Sequence, residues 1–80
     1  MVDLQVISKI INTKSLRILE DNNITKEYFP EYQEEIQYVL DHYDKYGNVP
    51  DRSTFLSEFP DIELVEVAES DQYLVDHLRE

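Results

Sequence analysis

The chain contains no cysteine and only one glycine among its 80 residues. Without cysteine, no disulfide can stabilise the fold, and this composition fits a reducing compartment. Phosphate-binding loops need several glycines so that backbone N–H groups can approach the ligand. A single glycine therefore excludes both the P-loop and the dinucleotide-binding fingerprint.

Basic residues are also scarce, since 7 Lys and Arg face 18 Asp and Glu and give a formal charge of −11. This balance argues against direct binding to nucleic acid or to an anionic membrane, both of which require clustered cations. No apolar run approaches the roughly 20 residues of a membrane span, and the N-terminus does not resemble a secretory signal. A hydrophobic content of 41% with nine aromatics is too high for a disordered acidic tail. We expect a folded, soluble, cytoplasmic protein.

Apolar residues recur at helical spacing along most of the chain, which predicts one all-α domain spanning residues 1–80. We expect a small orthogonal bundle of five to six short helices. The first has Gln5, Ser8 and Lys9 on its polar side, and Thr13 or Ser15 is a candidate cap for the second. The predicted segments are 3–12, a short one around Leu16–Leu19, a turn after Thr25, 31–46, 51–59, and a last helix from Asp71.

The strongest helical pattern lies in residues 31–46, with Pro30 expected in the first turn. Its apolar stripe predicts the core-facing residues Tyr32, Ile36, Val39, Leu40 and Tyr43. Tyr38 and Tyr46 fall off this stripe. Because tyrosine is favoured at protein interfaces, these two are candidate contacts for a partner.

Gly47, Pro50 and Asp51 follow this helix closely and predict an architectural break. Glycine closes a helix in the left-handed conformation at little steric cost. Pro50 holds Val49 extended, and the Asp51 carboxylate can cap the next helix. Residues 61–70 are ambiguous between a strand and an extended loop, and we favour a loop that inserts Leu64 or Val67 into the core.

The last helix, capped by Ser70, reaches the end of the sequence without a stop signal. This pattern predicts a truncated helix and a chain cut from a longer one. Leu74, Val75 and Leu78 of this helix are further candidates for a protein interface.

No residue pattern predicts an active site, so we assign no catalytic, cofactor-binding or metal-binding residues. His42 and His77 each lie beside acidic residues, but neither matches a zinc-binding helix pattern, and solvated surface histidines are expected. Close carboxylate pairs are expected by chance among 18 acidic residues, and nothing singles out a nucleophilic serine. Aromatic stacking of single-stranded nucleic acid would require flanking cations, which are scarce.

One segment resembles a known family. The stretch EYFPEYQEEIQYVLDHYDKYGNVPDRSTFLSEFP is similar to the N-terminal domain of DnaB-type replicative DNA helicases, particularly phage-like members. The shared pattern is a phenylalanine before a long helix, a glycine close after it, and a Pro-Asp pair that starts a short helix. These positions are Phe29, then Ile36, Val39 and Leu40 of the long helix, then Gly47, Pro50 and Asp51. The segment DQYLVDHLRE also resembles the point where that domain passes into a helical hairpin.

The resemblance implies a non-catalytic domain that supports assembly of the hexameric helicase and docks the primase. The partners would be other helicase subunits and primase, and the isolated chain would be monomeric. ATP and Mg²⁺ would bind only to a separate C-terminal domain. The implied setting is the cytoplasm of a bacterium or a phage-infected cell. The alternative is a free-standing acidic phage or bacterial protein that mimics DNA and blocks a basic partner.

Overall fold

Residues 2–79, which are the residues that the computed structural model describes, contain five α-helices and one 3-10 turn joined by loops. No strand occurs within this range, so the prediction of an all-α fold is confirmed. The elements are α1 (Val2–Thr13), α2 (Arg17–Glu20), the 3-10 turn (Lys26–Tyr28), α3 (Gln33–Tyr46), α4 (Arg52–Glu58) and α5 (Asp71–Leu78). The Cα envelope measures 30 × 24 × 22 Å.

Helix α1 lies at the centre of the packing, where it contacts both α4 and α5. Its apolar residues at helical spacing, Val6, Ile7, Ile10 and Ile11, are almost completely buried. Burial of one such aliphatic side chain stabilises the fold by about 1.5–3 kcal/mol. This helix therefore supplies a large part of the hydrophobic core.

Ser8 was expected on the polar side of α1, and this prediction is wrong. Its side chain is fully buried, and its hydroxyl accepts a hydrogen bond from the Val65 amide at 3.0 Å. The segment between α4 and α5 crosses this side of α1. Asn12 adds a second link, because its amide donates to the Val65 carbonyl oxygen at 3.1 Å.

The chain leaves α1 through Lys14, which adopts a left-handed conformation with φ of 57°. The Ser15 amide then donates to the Ile10 carbonyl oxygen, and the Ser15 hydroxyl accepts from the Arg17 amide. Ser15 thus accepts a hydrogen bond from the first residue of α2, although Leu16 occupies the N-cap position. Thr13 does not cap α2, because its hydroxyl donates back to the Lys9 carbonyl oxygen.

Helix α3 begins at Gln33, two residues later than predicted. Pro30 lies in a preceding turn rather than in the first turn of the helix, because the Tyr32 amide bonds to the Phe29 carbonyl oxygen. Phe29 itself is fully buried beneath this turn. Gln33–Tyr46 is otherwise the long amphipathic helix that the sequence predicts.

In the link between α3 and α4, Gly47 closes one helix and Asp51 caps the next, as predicted. Gly47 is left-handed, with φ of 79°, and its amide donates to the Tyr43 carbonyl oxygen at 2.8 Å. Val49 and Pro50 are buried, so the link is part of the core. Asp51 caps α4 by accepting from the Ser53 amide at 3.2 Å and the Ser53 hydroxyl at 2.7 Å.

Residues 61–70 form a loop without strand structure, and this loop inserts Leu64 into the core. The Ser70 hydroxyl accepts from the Tyr73 amide at 3.2 Å and so caps α5, as predicted. After α5, the Arg79 guanidinium donates to the Asn22 carbonyl oxygen. Helix α5 ends at Leu78 with Arg79 as its cap residue, so the predicted continuation through Arg79 is wrong, and the rest of that prediction falls on Glu80, outside the described residues.

Candidate protein interface

The five side chains predicted to contact a partner occupy different environments. Leu74 and Val75 have no exposed surface, so they fill the core beneath α5 and are not available to a partner in this fold. The α5 stripe is buried because that helix packs on α1. Leu78 and Tyr38 are half-buried, and Tyr46 is 61% exposed. Tyr46 therefore has the most surface to offer a partner.

Tyr38 belongs to an aromatic cluster with Phe55 and Phe59 that joins α3 to α4. Its ring meets Phe59 edge to face, with centroids 5.5 Å apart, and the Phe55 and Phe59 centroids are 5.2 Å apart. Such pairs add about 0.5–1.5 kcal/mol beyond their buried area. Tyr38 was predicted to lie off the core stripe, but α4 packs against this side of α3 and covers half of the ring.

The two histidines are half-buried rather than fully solvated. Nδ1 of His42 donates to the Asn48 carbonyl oxygen at 2.8 Å, and its ring lies 4.8 Å from that of Tyr46. Nδ1 of His77 donates to the Tyr73 carbonyl oxygen at 2.9 Å, and the two rings stack. Residues 2–79 contain no group of three His, Asp or Glu placed to hold a metal ion.

An apolar groove of about 420 Å³ opens between α3 and the segment that follows α2. Asn23, in the left-handed conformation, folds the chain back so that the Ile24 amide donates to the Leu19 carbonyl oxygen at 3.0 Å. The apolar lining of this groove consists of Leu16, Leu19, Ile24, Leu40 and Tyr43. Tyr43 was predicted to face the core, but it stands at the groove with 37% of its surface exposed.

Two carboxylates, those of Glu20 and Asp44, are the only charged groups that line this groove. Neither has an ion-pair partner among the residues that the structure describes. The only ion pairs between residues 2 and 79 join Lys9 to Asp71, Lys14 to Asp51 and Arg17 to Asp21. The groove is thus an apolar surface with a negatively charged rim.

The acidic surface extends beyond the groove. Burial raises the pKa of the Tyr32 phenol, and the charges of Asp3, Glu31 and Glu35 raise this pKa further. A helix that crosses a membrane does not occur in residues 2–79. Two properties characterise the surface of this domain, its negative charge and its exposed tyrosines.

A larger and more polar cavity, of about 540 Å³, lies where residues 64–68 pass Asn12 and Arg52. The one cationic side chain that lines this cavity is Arg52, and its guanidinium already donates a hydrogen bond to the Asn12 amide oxygen at 2.7 Å. Asn12 in turn binds the loop backbone, so these polar groups hold the fold together. We assign no chemistry to this cavity.

No protein-family model, curated protein or solved structure matches this chain. The candidate site therefore depends on its own geometry. The prediction that Tyr46 lies off the core stripe is confirmed, but no prediction covered the groove. The sequence feature that could have predicted the groove is the apolar stripe of α3. Leu40 and Tyr43 belong to this stripe, but in the structure they line the groove and are not fully covered by the core.

Proposed function

We propose that this chain is a non-catalytic assembly and docking domain of a hexameric replicative DNA helicase, and that it binds primase and other helicase subunits. The observation that carries the proposal is the conformation of residues 29–51. Phe29 is buried ahead of α3, Gly47 closes the helix in the left-handed conformation, and Asp51 caps α4. The family resemblance rests on these same positions.

The surface described above supports a docking role. Tyr46 is the most exposed aromatic residue, and it lies next to His42 on the outer side of α3. Tyrosine offers a partner a large rigid contact area together with a hydroxyl that can form a hydrogen bond. ATP hydrolysis is assigned by this proposal to a separate domain, because the chain has no P-loop sequence.

The proposal is tested by titrating the purified chain with purified primase from the same genome and measuring heat by calorimetry. We expect saturable binding that Tyr46→Ala weakens about tenfold, as is typical of an aromatic interface anchor. Val65→Ala is the matched control, because Val65 is also an exposed apolar side chain but lies on the loop before α5. Absence of binding to both primase and helicase subunits contradicts the proposal.

The coding sequence provides a second test. An in-frame continuation past Glu80 that contains G-x-x-x-x-G-K-[ST] is expected, and an in-frame stop directly after Glu80 contradicts the proposal. A polypeptide extended to about residue 120, long enough for a helical hairpin, should be a dimer or larger in light scattering. If the extended polypeptide stays monomeric at high concentration, the assembly role loses its support.

The excess of carboxylates over ion pairs favours a second candidate, a DNA mimic that blocks a basic protein. Unpaired carboxylates on a folded surface offer a basic cleft the same charge as a phosphate backbone. This candidate predicts that the chain displaces DNA from a DNA-binding protein of the same genome. Binding to primase that added DNA does not compete away supports the docking domain instead.

A further inference from the structure

We propose that the apolar groove between α2 and α3 binds a basic amphipathic helix of a partner protein. This inference deepens the proposed function, since a docking domain has to present a docking surface. The occupant is defined by its chemistry. It carries leucine-like side chains on one face and Lys or Arg beside them.

The shape of the groove favours apolar side chains as its occupant. Leu19 and Ile24, which are themselves buried, form an apolar floor with half-buried Leu40, and Tyr43 stands beside it with 37% of its surface exposed. A volume of about 420 Å³ accommodates a few anchor side chains. Small-molecule sites are usually enclosed and add convergent polar groups that fix the orientation of the ligand, whereas this groove is open and its polar residues, Glu20, Asn23, Thr25 and Asp44, accompany an apolar floor.

The backbone around the groove favours a helical partner over an extended one. An extended peptide binds by adding to an exposed strand edge, which supplies its backbone with hydrogen bonds. Residues 2–79 contain no strand. A helix satisfies its own backbone groups and needs only an apolar groove, into which side chains at i, i+3, i+4 and i+7 project.

The charge at the rim favours a basic partner. Neither Glu20 nor Asp44 forms an ion pair with another described residue, so both carboxylates can pair with Lys or Arg of a bound helix. The formal charge of −11 adds long-range attraction for a cationic segment. The same charge disfavours a second copy of this chain, because two such copies repel each other.

The test uses a synthetic amphipathic peptide of about 18 residues, long enough to form a helix, with leucines on one face and lysines on the other. We expect saturable binding by calorimetry that weakens at high salt, since exposed ion pairs are screened. In ¹⁵N NMR spectra, the largest shift changes should fall on the amides of Leu19, Ile24, Leu40 and Tyr43. The same peptide with glutamates in place of lysines should not bind.

Two matched pairs of variants separate the groove from the general negative charge. The double reversal Glu20→Lys with Asp44→Lys should weaken binding about tenfold, because two attractions become two repulsions. Glu63→Lys with Glu66→Lys changes the net charge equally but lies on the loop before α5, so its effect should be about twofold. Tyr43→Ala should likewise cost about tenfold, whereas Tyr73→Ala, with similar exposure, should have little effect.

Several results would overturn this inference. These are equal losses for the two double reversals, shift changes centred away from the groove, equal binding of the acidic peptide, or self-association of the chain through the groove. The outcome is separable from that of the proposed function. Primase that binds a chain carrying Glu20→Lys and Asp44→Lys normally refutes the groove as its docking site and leaves the docking function in place. Binding of the peptide without any binding of primase supports the groove as a site for a basic helix and contradicts the docking function.

Discussion

Replacement of Gly47 by alanine should destabilise the domain by about 1 kcal/mol through backbone strain alone. An L-residue in the left-handed conformation costs about 1–2 kcal/mol, and part of this is offset because alanine has less conformational freedom than glycine in the unfolded chain. A Cβ added at Gly47 meets no heavy atom within 4 Å. There is therefore no clash to add to the strain, and the cost should stay near this value.

Thermal unfolding followed by circular dichroism measures this cost. An unfolding entropy of about 2.1 cal/mol/K per residue gives roughly 0.17 kcal/mol/K for a domain of this size. A loss of about 1 kcal/mol then lowers Tm by about 6 °C. Gly47→Asn should lower Tm by less, because asparagine tolerates the left-handed conformation better than alanine.

Lys14 provides the converse test, because it adopts the same conformation without being a glycine. Lys14→Gly removes the strain and should raise Tm by a few degrees. Its ion pair with Asp51 is exposed and long, at 3.5 Å, so the loss of this pair should matter little. An unchanged Tm for Gly47→Ala, or a lower Tm for Lys14→Gly, would refute the assignment of these costs to left-handed backbone.

Three further predictions concern the core and the helix caps. Phe55→Ala should lower the free energy of unfolding by about 3–5 kcal/mol, because this fully buried ring contacts Tyr38 and Phe59. Urea unfolding should find this variant largely unfolded without denaturant, whereas the control Phe55→Leu should still fold. Ser70→Ala should lower the free energy of unfolding by about 1 kcal/mol, and the largest loss of amide protection should fall in α5. Hydrogen bonds from the Ser53 hydroxyl and amide, with a smaller contribution from Lys14, lower the pKa of Asp51 in the folded state. The ionised Asp51 carboxylate therefore stabilises the fold above the ordinary carboxyl pKa of about 3.9, and this stabilisation is lost as pH falls below it. The free energy of unfolding of wild type, measured in urea, should exceed that of Asp51→Asn by less below about pH 4 than at neutral pH.

The parts of the fold that were predictable are those in which local chemistry decides the structure. Helix α3 has a clear apolar period, Gly47 has the conformational freedom that a helix end needs, and Asp51 and Ser70 carry cap oxygens. Each of these features depends on residues within one or two turns. Local preference and tertiary packing agree at these positions, so sequence alone was sufficient.

The errors concern side chains whose environment is set by a distant segment. Ser8 looks like a surface residue of α1, and only the path of the loop around Val65 buries it. Tyr38 was expected at the surface but packs against Phe55 and Phe59 of the α4 region, and Tyr43 was expected in the core but lines the groove. The reason is that α4 covers one side of α3 and leaves the other side open. The periodicity of a helix gives the relative directions of its side chains, but not which neighbour will cover them.

The negative charge and the groove have a common energetic consequence. A surface with few ion pairs and a charge of −11 repels itself, and this repulsion destabilises the folded chain. A basic partner in the groove would relieve part of the repulsion and bury Leu40 and Tyr43 in the same step. Because such a partner binds the folded state alone, it also raises the stability of the domain by mass action. An acidic surface beside an apolar groove is thus costly to the free domain and would become favourable in the complex that we propose.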